Sequence, residues 1–588
     1  MKAATQTKRL TLLALTYVVS FCSFAYEFVY SELLTVMYGG TVTQYVITVG
    51  LYFFSLGIGS ALSDDLDADA PSNFFRTEVY LAAVAPAGFM LIVGLNSVAI
   101  PKAVPNELIW VLARLPAVAV GFLSGFELPL LTRMVDDLET ESRLLPRRVT
   151  GAFARIHRLA LGVVGLFWSV ERREGERSGL SVVLALDYVG GLFGAVVYAR
   201  VLYPKLGLVP TIFVLALLNA VAALAFVARF SDRPWGLFAG EDRSLVSRES
   251  RALFAVCLLL TAAYGGAVVE HERVDRGVTE LYLERQIESE YAKGAMKAEI
   301  TSQTTTKYQH VVRYRRTWTG AGDNPHFEGD TEECLRLGTA VQLCESWADS
   351  YHQGLVDVPM SMYDHSPETN VLVVGGGDWI AVDHLRKYNV SVDHVDLDAE
   401  FMATARNDSF YARWHDDAYE YDRLNTTVGD GYAFLKRTNE TYDLVLLDLP
   451  GATDSDLLKL YSKEFYSSLR RHLEPDGTVV TWAYSPDGYP QHHKAYVNTV
   501  RAAGFDRYLP YSSWEDVDAD GEVERVERFY VLAPGPREQL PVAEGTDYVR
   551  KYRDRYRDLR WREMPRYRGV GVNSLFHPNY DIIIDDWP

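Results

Sequence analysis

Four aspartates mark the part of this chain that could do chemistry: Asp378, Asp396, Asp430 and Asp448, each just after a short apolar run. The run at 371–374 ends in Gly375, Gly376 and Gly377 and then Asp378, as a buried parallel strand does where it turns into a helix. The glycines let backbone approach a ligand, and a helix starting near Asp378 would offer it free N–H groups. Asp396 follows a second strand, 391–395, and lies 21 residues after Gly375. A nucleotide-binding βαβ unit places an acid at that spacing to accept from ribose hydroxyls. The glycines alone read equally well as a tight turn; strand, glycines, helix, strand and acid in sequence read as a nucleoside site.

Asp430, in VGDGYAFL, stands where a third strand ends. It could accept from an exocyclic amine such as that of adenine, or cap a helix over 431–436, and one aspartate could do both. Asp448 ends YDLVLLDLPGA. With Asp378 it would form a pair of acids at one sheet edge, suited to a cationic substrate; alone, it reads as a turn residue before Leu449 and Pro450.

The elements that must hold these acids follow from the patterning. Strands are expected at 371–374, 391–395, 424–428, 443–447, 477–482, 505–509 and 526–532, with helices between. That alternation predicts a doubly wound α/β domain whose last two strands form a hairpin. Residues 297–344 alternate apolar and polar and predict a small antiparallel sheet, followed by a helix in ESWADSYHQGLVDVP. Cys334 and Cys344 flank a Gly338-Thr339 turn and could face each other across a hairpin as a disulfide, whereas Cys22 and Cys257 lie in apolar runs and read as buried hydrophobes. The Tyr- and Arg-rich tail after Thr546 carries no chemistry that can be assigned and is expected to pack.

The first 270 residues read as membrane. Apolar runs of about 20 residues or more fall at 10–37, 42–62, 79–100, 108–131, 180–202, 209–230 and 253–269, predicting seven spans. The shorter run 159–170, bordered by Arg158 and Glu171, predicts an interfacial helix. The chain therefore reads as a multi-span α-helical membrane domain (1–272), a small β-domain with its linking helix (273–366) and a Rossmann-like domain with its tail (367–588), and as a multi-pass protein of the cell membrane. No cleavable signal peptide is evident. Glu27, Glu32, Glu127 and Asp187 sit within the spans, where a carboxylate costs about 2.5 kcal/mol or more. They should face the bundle interior, as a cation site or path, or else bond to a neighbouring helix. Glycines in GLYFFSLGIGS and DYVGGLFGAV predict close helix contacts.

Of 588 residues, an excess of acids gives a net charge of -19, and Arg far outnumbers Lys. That balance argues against nucleic acid as a partner and suits a protein living in high salt. Lys2, Lys8 and Arg9 place the N-terminus inside, as Arg147, Arg148, Arg155 and Arg158 do the loop after the fourth span. Seven crossings would then leave the soluble part outside. Four sequons, at Asn389, Asn407, Asn425 and Asn439, and the cysteine pair lean the same way, while an eighth crossing at 159–170 would reverse the answer.

The set KYQHVV, LRLGTAVQ, SYHQGLV, VLVVGGGD, VDHVDLD, VGDGYAFL, YDLVLLDLP and LYSKEFYSSLRRHLEPDGTVV resembles the polyamine aminopropyltransferases, of which spermidine synthase is the familiar member, over about residues 300–485. AYEFVYSELL, GFELPLLTR and DYVGGLFG resemble the multi-span half of their membrane-anchored relatives. The resemblance implies a small N-terminal β-domain plus a methyltransferase-like Rossmann domain. It also implies transfer of an aminopropyl group from decarboxylated S-adenosylmethionine, a co-substrate, to an amine, releasing methylthioadenosine, without a metal. Gln309, Gly375, Gly377, Asp396, Asp430 and Gly431 would hold the nucleoside. His352, Asp378, Tyr308 and Tyr461 would contact or enclose the amine, and Asp448 would take its proton. The expected partners are a small-molecule amine and the lipid bilayer; a homo-oligomer is compatible with this reading.

Departures gather on the amine side. GGGDGG is here GGGDWI, with Trp379 and Ile380; Gly451 stands where a second acid belongs; Gln353 replaces a glutamate; Trp347 and Ala348 replace an acidic pair. These keep two alternatives open: an S-adenosylmethionine-dependent methyltransferase, and a non-catalytic transporter or sensor that binds polyamine or nucleoside.

Overall fold

The computed structural model describes residues 2–38, 41–66, 69–97, 104–139, 179–230, 246–338, 340–452, 457–518, 522–523 and 525–583. The chain divides into two units, one made of residues up to Leu34 with Tyr45–Thr279, the other of Thr35–Gln44 and everything from Glu280 onward.

The first unit is helical: α1 (Lys2–Tyr38), α2 (Thr41–Leu62), α3 (Ala70–Asn96), α4 (Asn106–Glu139), α5 (Gly179–Val197), α6 (Leu208–Phe230) and α7 (Val246–Val269), with shorter helical turns between. Among the described residues seven helices are long and apolar enough to cross a membrane, with mean hydropathy of 1.7 to 2.5. The expected interfacial helix at 159–170 lies outside the described residues. Glycine sets how closely α2 and α4 approach: a Cβ at Gly59 would lie 2.0 Å from the Phe122 carbonyl oxygen, and one at Gly125 would lie 2.2 Å from that of Leu56. Backbones this close permit no larger residue, which is the packing the sequence suggested.

Glu27 and Glu127 are buried. Glu32 accepts from the Tyr203 hydroxyl at 3.0 Å. A further acid, Glu78 on α3, is fully buried. It accepts from Asn219 at 2.8 Å and lies beside the buried Glu127 of α4. Cys22 and Cys257 are buried and free, as apolar surroundings imply.

The second unit opens with a four-stranded antiparallel sheet in sequential order, β1 (Met296–Thr305), β2 (His310–Trp318), β3 (Thr331–Leu337) and β4 (Ala340–Cys344). In the β3–β4 hairpin Cys334 pairs with Cys344 in register, and the two form a disulfide. Next comes an eight-stranded sheet of β5 (Asn370–Gly375), β6 (Ser391–Asp396), β7 (Leu424–Val428), β8 (Tyr442–Asp448), β9 (Leu473–Trp482), β10 (Arg507–Glu515), β11 (Arg525–Ala533) and β12 (Arg562–Glu563), ordered β12-β10-β11-β9-β8-β5-β6-β7. From β7 to β9 neighbours run parallel, and β10 and β11 make the expected antiparallel hairpin.

Three boundaries differ most from expectation: β9 already starts at Leu473 rather than 477. The helix after the glycines starts at Ile380 rather than Asp378, because Gly375, Gly376 and Trp379 all have positive φ. β10 runs on to Glu515, held along its length by β11. The tail packs on this sheet: Tyr548 and Tyr556 are buried, and Tyr556 donates to the Ser512 carbonyl at 2.8 Å.

The Cys334–Cys344 bridge closes a sequence separation of 10 residues. By loop-closure entropy it should stabilise by about 3 kcal/mol at most. Replacing both cysteines by serine should lower the unfolding temperature of the purified chain, and reductant should reproduce the shift in the wild type but not in the variant. An unchanged unfolding temperature would show that the bridge does not form.

Candidate active site

β5 has β6 on one side and β8 on the other, so the chain leaves it in opposite directions and a crevice opens at the strands' carboxyl ends. Gly375 is level with Asp448 there. Gly375 and Gly376 have φ of 87° and 71°. A Cβ on Gly375 would lie 2.0 Å from the Asp448 carbonyl oxygen, and one on Gly376 would lie 2.7 Å from Asp448 Oδ2. Only glycine supplies both that backbone conformation and that clearance. The Gly376 N–H donates to the Asp448 carbonyl at 3.1 Å, which fixes the aspartate's backbone against the loop.

Asp448 meets two other predicted residues. His352 Nδ1 donates to the Ala348 carbonyl at 2.9 Å, which turns Nε2 to within 3.7 Å of Asp448 Oδ2. Asp378, whose Oδ1 accepts from the Ile380 N–H at 3.1 Å, completes a group in which one donor atom from each residue lies within 4.8 Å of the others. The buried Tyr351 phenol lies close enough to Asp448 for that carboxylate to raise it. Behind His352, the ring of His384 lies 6.0 Å away at an interplanar angle of 29° and is itself held by Asp357 at 3.1 Å. Burial would depress His352, but the Asp448 and Asp378 carboxylates outweigh it and hold the imidazolium up to about 9. Burial raises Asp378 to about 6, with His352 opposing and Asp448 adding to the rise. The arrangement is a buried charge-compensated cluster with more acid than base, able to hold an ammonium and accept its proton.

The side predicted to hold a nucleoside is built around β6. Asp396 is raised to about 6, chiefly by burial, and its Oδ1 accepts from the Asp398 N–H at 2.7 Å. Asp398 caps the next helix through Phe401 and accepts from Thr306 at 2.5 Å and from Gln309 at 3.2 Å. Gln309 is thus tied to Asp398, the acid two residues beyond Asp396 in the chain. A Cβ on Gly377 would come within 3.1 Å of the Asp396 carboxyl carbon. Asp430 does cap its helix, accepting from the Ala433 N–H at 2.7 Å. Its other oxygen pairs with Lys459 at 2.6 Å. Burial of Asp430 is outweighed by that pair, which holds its carboxyl below the ordinary value. Gly431 is the first residue of that helix.

The remaining predicted residues fall elsewhere. Tyr308 is 47% exposed, with the Lys307 ammonium over its ring. Tyr461 is buried and donates to the Pro450 carbonyl at 2.7 Å, so it anchors the segment after Asp448. The Trp379 indole packs into a cluster with Ile380, Phe401 and Met402 and donates to the Met402 carbonyl at 3.3 Å; it does not stand between Asp378 and Asp448. Among the described residues, a Cβ on Gly451 would meet only Trp482, at 3.9 Å. Sequence reasoning missed Tyr351, Asp398, Lys459 and Asn573. Asp398 was legible as the second acid of DLD and Tyr351 as the neighbour of His352. Asn573, which donates to the Leu458 carbonyl at 2.7 Å, follows no local signal.

A spermine/spermidine synthase domain matches residues 348–511. That span contains His352, Asp378, Asp396, Asp430 and Asp448. The chain carries a spermine/spermidine synthase domain and is a homologue of the polyamine aminopropyltransferases. The polyamine aminopropyltransferase of Oceanobacillus iheyensis is 26% identical over 471 residues, 80% of this chain and 76% of that protein. A match of that length cannot be confined to the synthase domain and reaches into the helical half. Polyamine aminopropyltransferase 1 of Streptomyces coelicolor is 25% identical over 85% of this chain and 81% of its own length. The solved spermidine synthase of Thermotoga maritima aligns at 18% identity with a TM-score of 0.34, over 46% of this chain and 82% of that one.

The synthase domain's histidines should titrate far apart. Histidine C2 deuterium exchange read by mass spectrometry should place His352 near 9 and His394, depressed by burial, near 4. Because His352 is raised above its unfolded value of about 6.5, the stability it adds is full below that pH. It is lost as pH rises through about 9, an effect of order 2 to 3 kcal/mol. Two ordinary midpoints near 6.5 would refute the cluster.

Proposed function

We propose that this chain is a membrane-bound polyamine aminopropyltransferase of the spermidine synthase kind. It transfers the aminopropyl group of decarboxylated S-adenosylmethionine to an amine and releases methylthioadenosine. The observation that carries the reading is the His352, Asp378 and Asp448 cluster lying at the strand crossover against the glycine loop, with Asp396 at the end of the neighbouring strand.

The chemistry fits the residue types. Asp396, with Gln309 held by Asp398 two residues further on, supplies acceptors and donors for a ribose, and Gly375 and Gly377 admit the nucleoside against the backbone. Asp430, once Lys459 yields its oxygen, can accept from an adenine amine at the Gly431 helix start. An alkyl ammonium, with a pKa near about 10, is held by Asp378 and Asp448 beside His352 and Tyr351. Asp448 takes its proton. The freed lone pair attacks the methylene next to the sulfonium; the C–N bond forms as the C–S bond breaks, and sulfur leaves as a neutral thioether. Orientation in a buried site supplies most of the remaining acceleration. Tyr461 keeps the Pro450 segment closed over the site, and Tyr308, at the rim, offers an aromatic face to an arriving cation.

The helical half supports a multi-pass membrane location. Phe54, Leu192, Leu259 and Val269 are 69%, 68%, 70% and 77% exposed. Large apolar side chains turned outward along several apolar helices are costly in water and ordinary in lipid.

Incubating the purified full-length chain with decarboxylated S-adenosylmethionine and a panel of amines should give a product heavier by one aminopropyl group, together with methylthioadenosine, by mass spectrometry. Transfer of a methyl group from S-adenosylmethionine instead would select the methyltransferase reading, and no product with any pair would select the binding protein. Asp448→Asn should reduce turnover by a factor of 100 or more, the scale of a lost general base, while nucleoside affinity by calorimetry changes less than threefold. Retained turnover would remove Asp448 from the role.

A further inference from the structure

The group of His352, Asp378 and Asp448 has a second property. Its donor set, one imidazole and two carboxylates, is that of a zinc-class site, and it is already assembled. His352 is 2% exposed. Its Nε2 and Asp448 Oδ2 are both buried without a hydrogen-bond partner. The Nδ1 bond to the Ala348 carbonyl sets the tautomer, leaving the lone pair of Nε2 aimed at the carboxylates when the ring is neutral, as outer partners do for metal-bound histidines. The 3.7 Å between Nε2 and Oδ2 is close to the edge of about 3.4 Å in a tetrahedron with metal bonds of about 2.1 Å. With one donor atom from each of the three residues inside 4.8 Å, a small closing movement completes three ligands and leaves a fourth position open.

We propose that His352, Asp378 and Asp448 bind one divalent ion of the zinc and cobalt class, which takes the place of the amine and so blocks it. The ion is a competitor, not a resident cofactor. One imidazole beside two carboxylates suits these borderline ions; magnesium and calcium favour all-oxygen shells with higher coordination numbers. Charge also matches, since two carboxylates, a neutral imidazole and a divalent cation sum to zero, which is the cheapest state for a buried site. The site uses the same three side chains as the proposed transfer but does not depend on that reaction.

Equilibrium dialysis of the full-length chain in detergent against zinc should show one tight equivalent. His352→Gln and Asp448→Asn, with unchanged far-UV circular dichroism, should each bind it at least tenfold more weakly. Cobalt in the wild type should give a visible d–d spectrum of a four-coordinate N/O site, and a saturating diamine should abolish it. Equal uptake by wild type and both variants, or no uptake, overturns the proposal. Should a variant fail to fold, the wild type decides: a cobalt spectrum that a diamine leaves unchanged, or no spectrum, is equally fatal. Zinc uptake without any transfer in metal-free assays would sink the transferase reading and leave the ion site standing.

Discussion

Everything in the catalytic half depends on how closely β5 and β8 end beside each other. Asp448 is the last residue of its strand, level with Gly375, and its carbonyl receives the Gly376 N–H at 3.1 Å. A methyl group at Gly375 would sit 2.0 Å from that oxygen. The aspartate's backbone is therefore pinned by the loop it serves. Its side chain has little choice but to stand over the crevice, and Asp378, three residues beyond Gly375, is delivered to the same place.

That convergence creates an electrostatic problem that the rest of the site answers. Two carboxylates in a buried crevice repel, and burial, with Asp448 adding to it and His352 opposing, lifts Asp378 to about 6. His352 relieves this because its ring is fixed by Ala348 and backed by His384 and Asp357. The nucleoside side uses a different device. Asp396 and Asp398 are kept apart in role: one is left free to accept, and the other is occupied by a helix cap, Thr306 and Gln309. Two acids at one strand end thus do not compete for one ligand.

Much of this was legible in the sequence, and the limits are physical. β7 spans the residues expected, 424–428. Seven apolar helices follow from length and hydropathy alone. The cysteine pair was legible only in outline: the two-residue turn by itself would set Cys334 opposite Leu343, and a register shift between Leu335 and Arg336 brings Cys344 there instead. Glu78 went unread because its carboxylate is compensated from another helix, by Asn219 some 140 residues away, and no local pattern reports that. Lys459 and Asn573 went unread for the same reason: each matters through a partner that only the folded chain brings near.

Trp379 is the instructive case, because the sequence signal and the structure weigh it differently. Two glycines are expected after GGGD, and an indole there reads as an obstruction. The structure holds Trp379 at φ 70°, which for a residue with a Cβ costs about 1 to 2 kcal/mol. The indole is 6% exposed and packed between Phe401 and Met402, and truncating a buried Trp typically costs about 3 to 5 kcal/mol. Packing exceeds strain, so the conformation usually reserved for glycine is held by a large side chain. The left-handed turn then does for the backbone what glycine would have done: it swings the chain past Asp378 and lets the helix start at Ile380, while the indole is carried away from the acids toward Met402. A bulky residue at a glycine position is therefore compatible with an open site whenever its side chain has somewhere else to be buried.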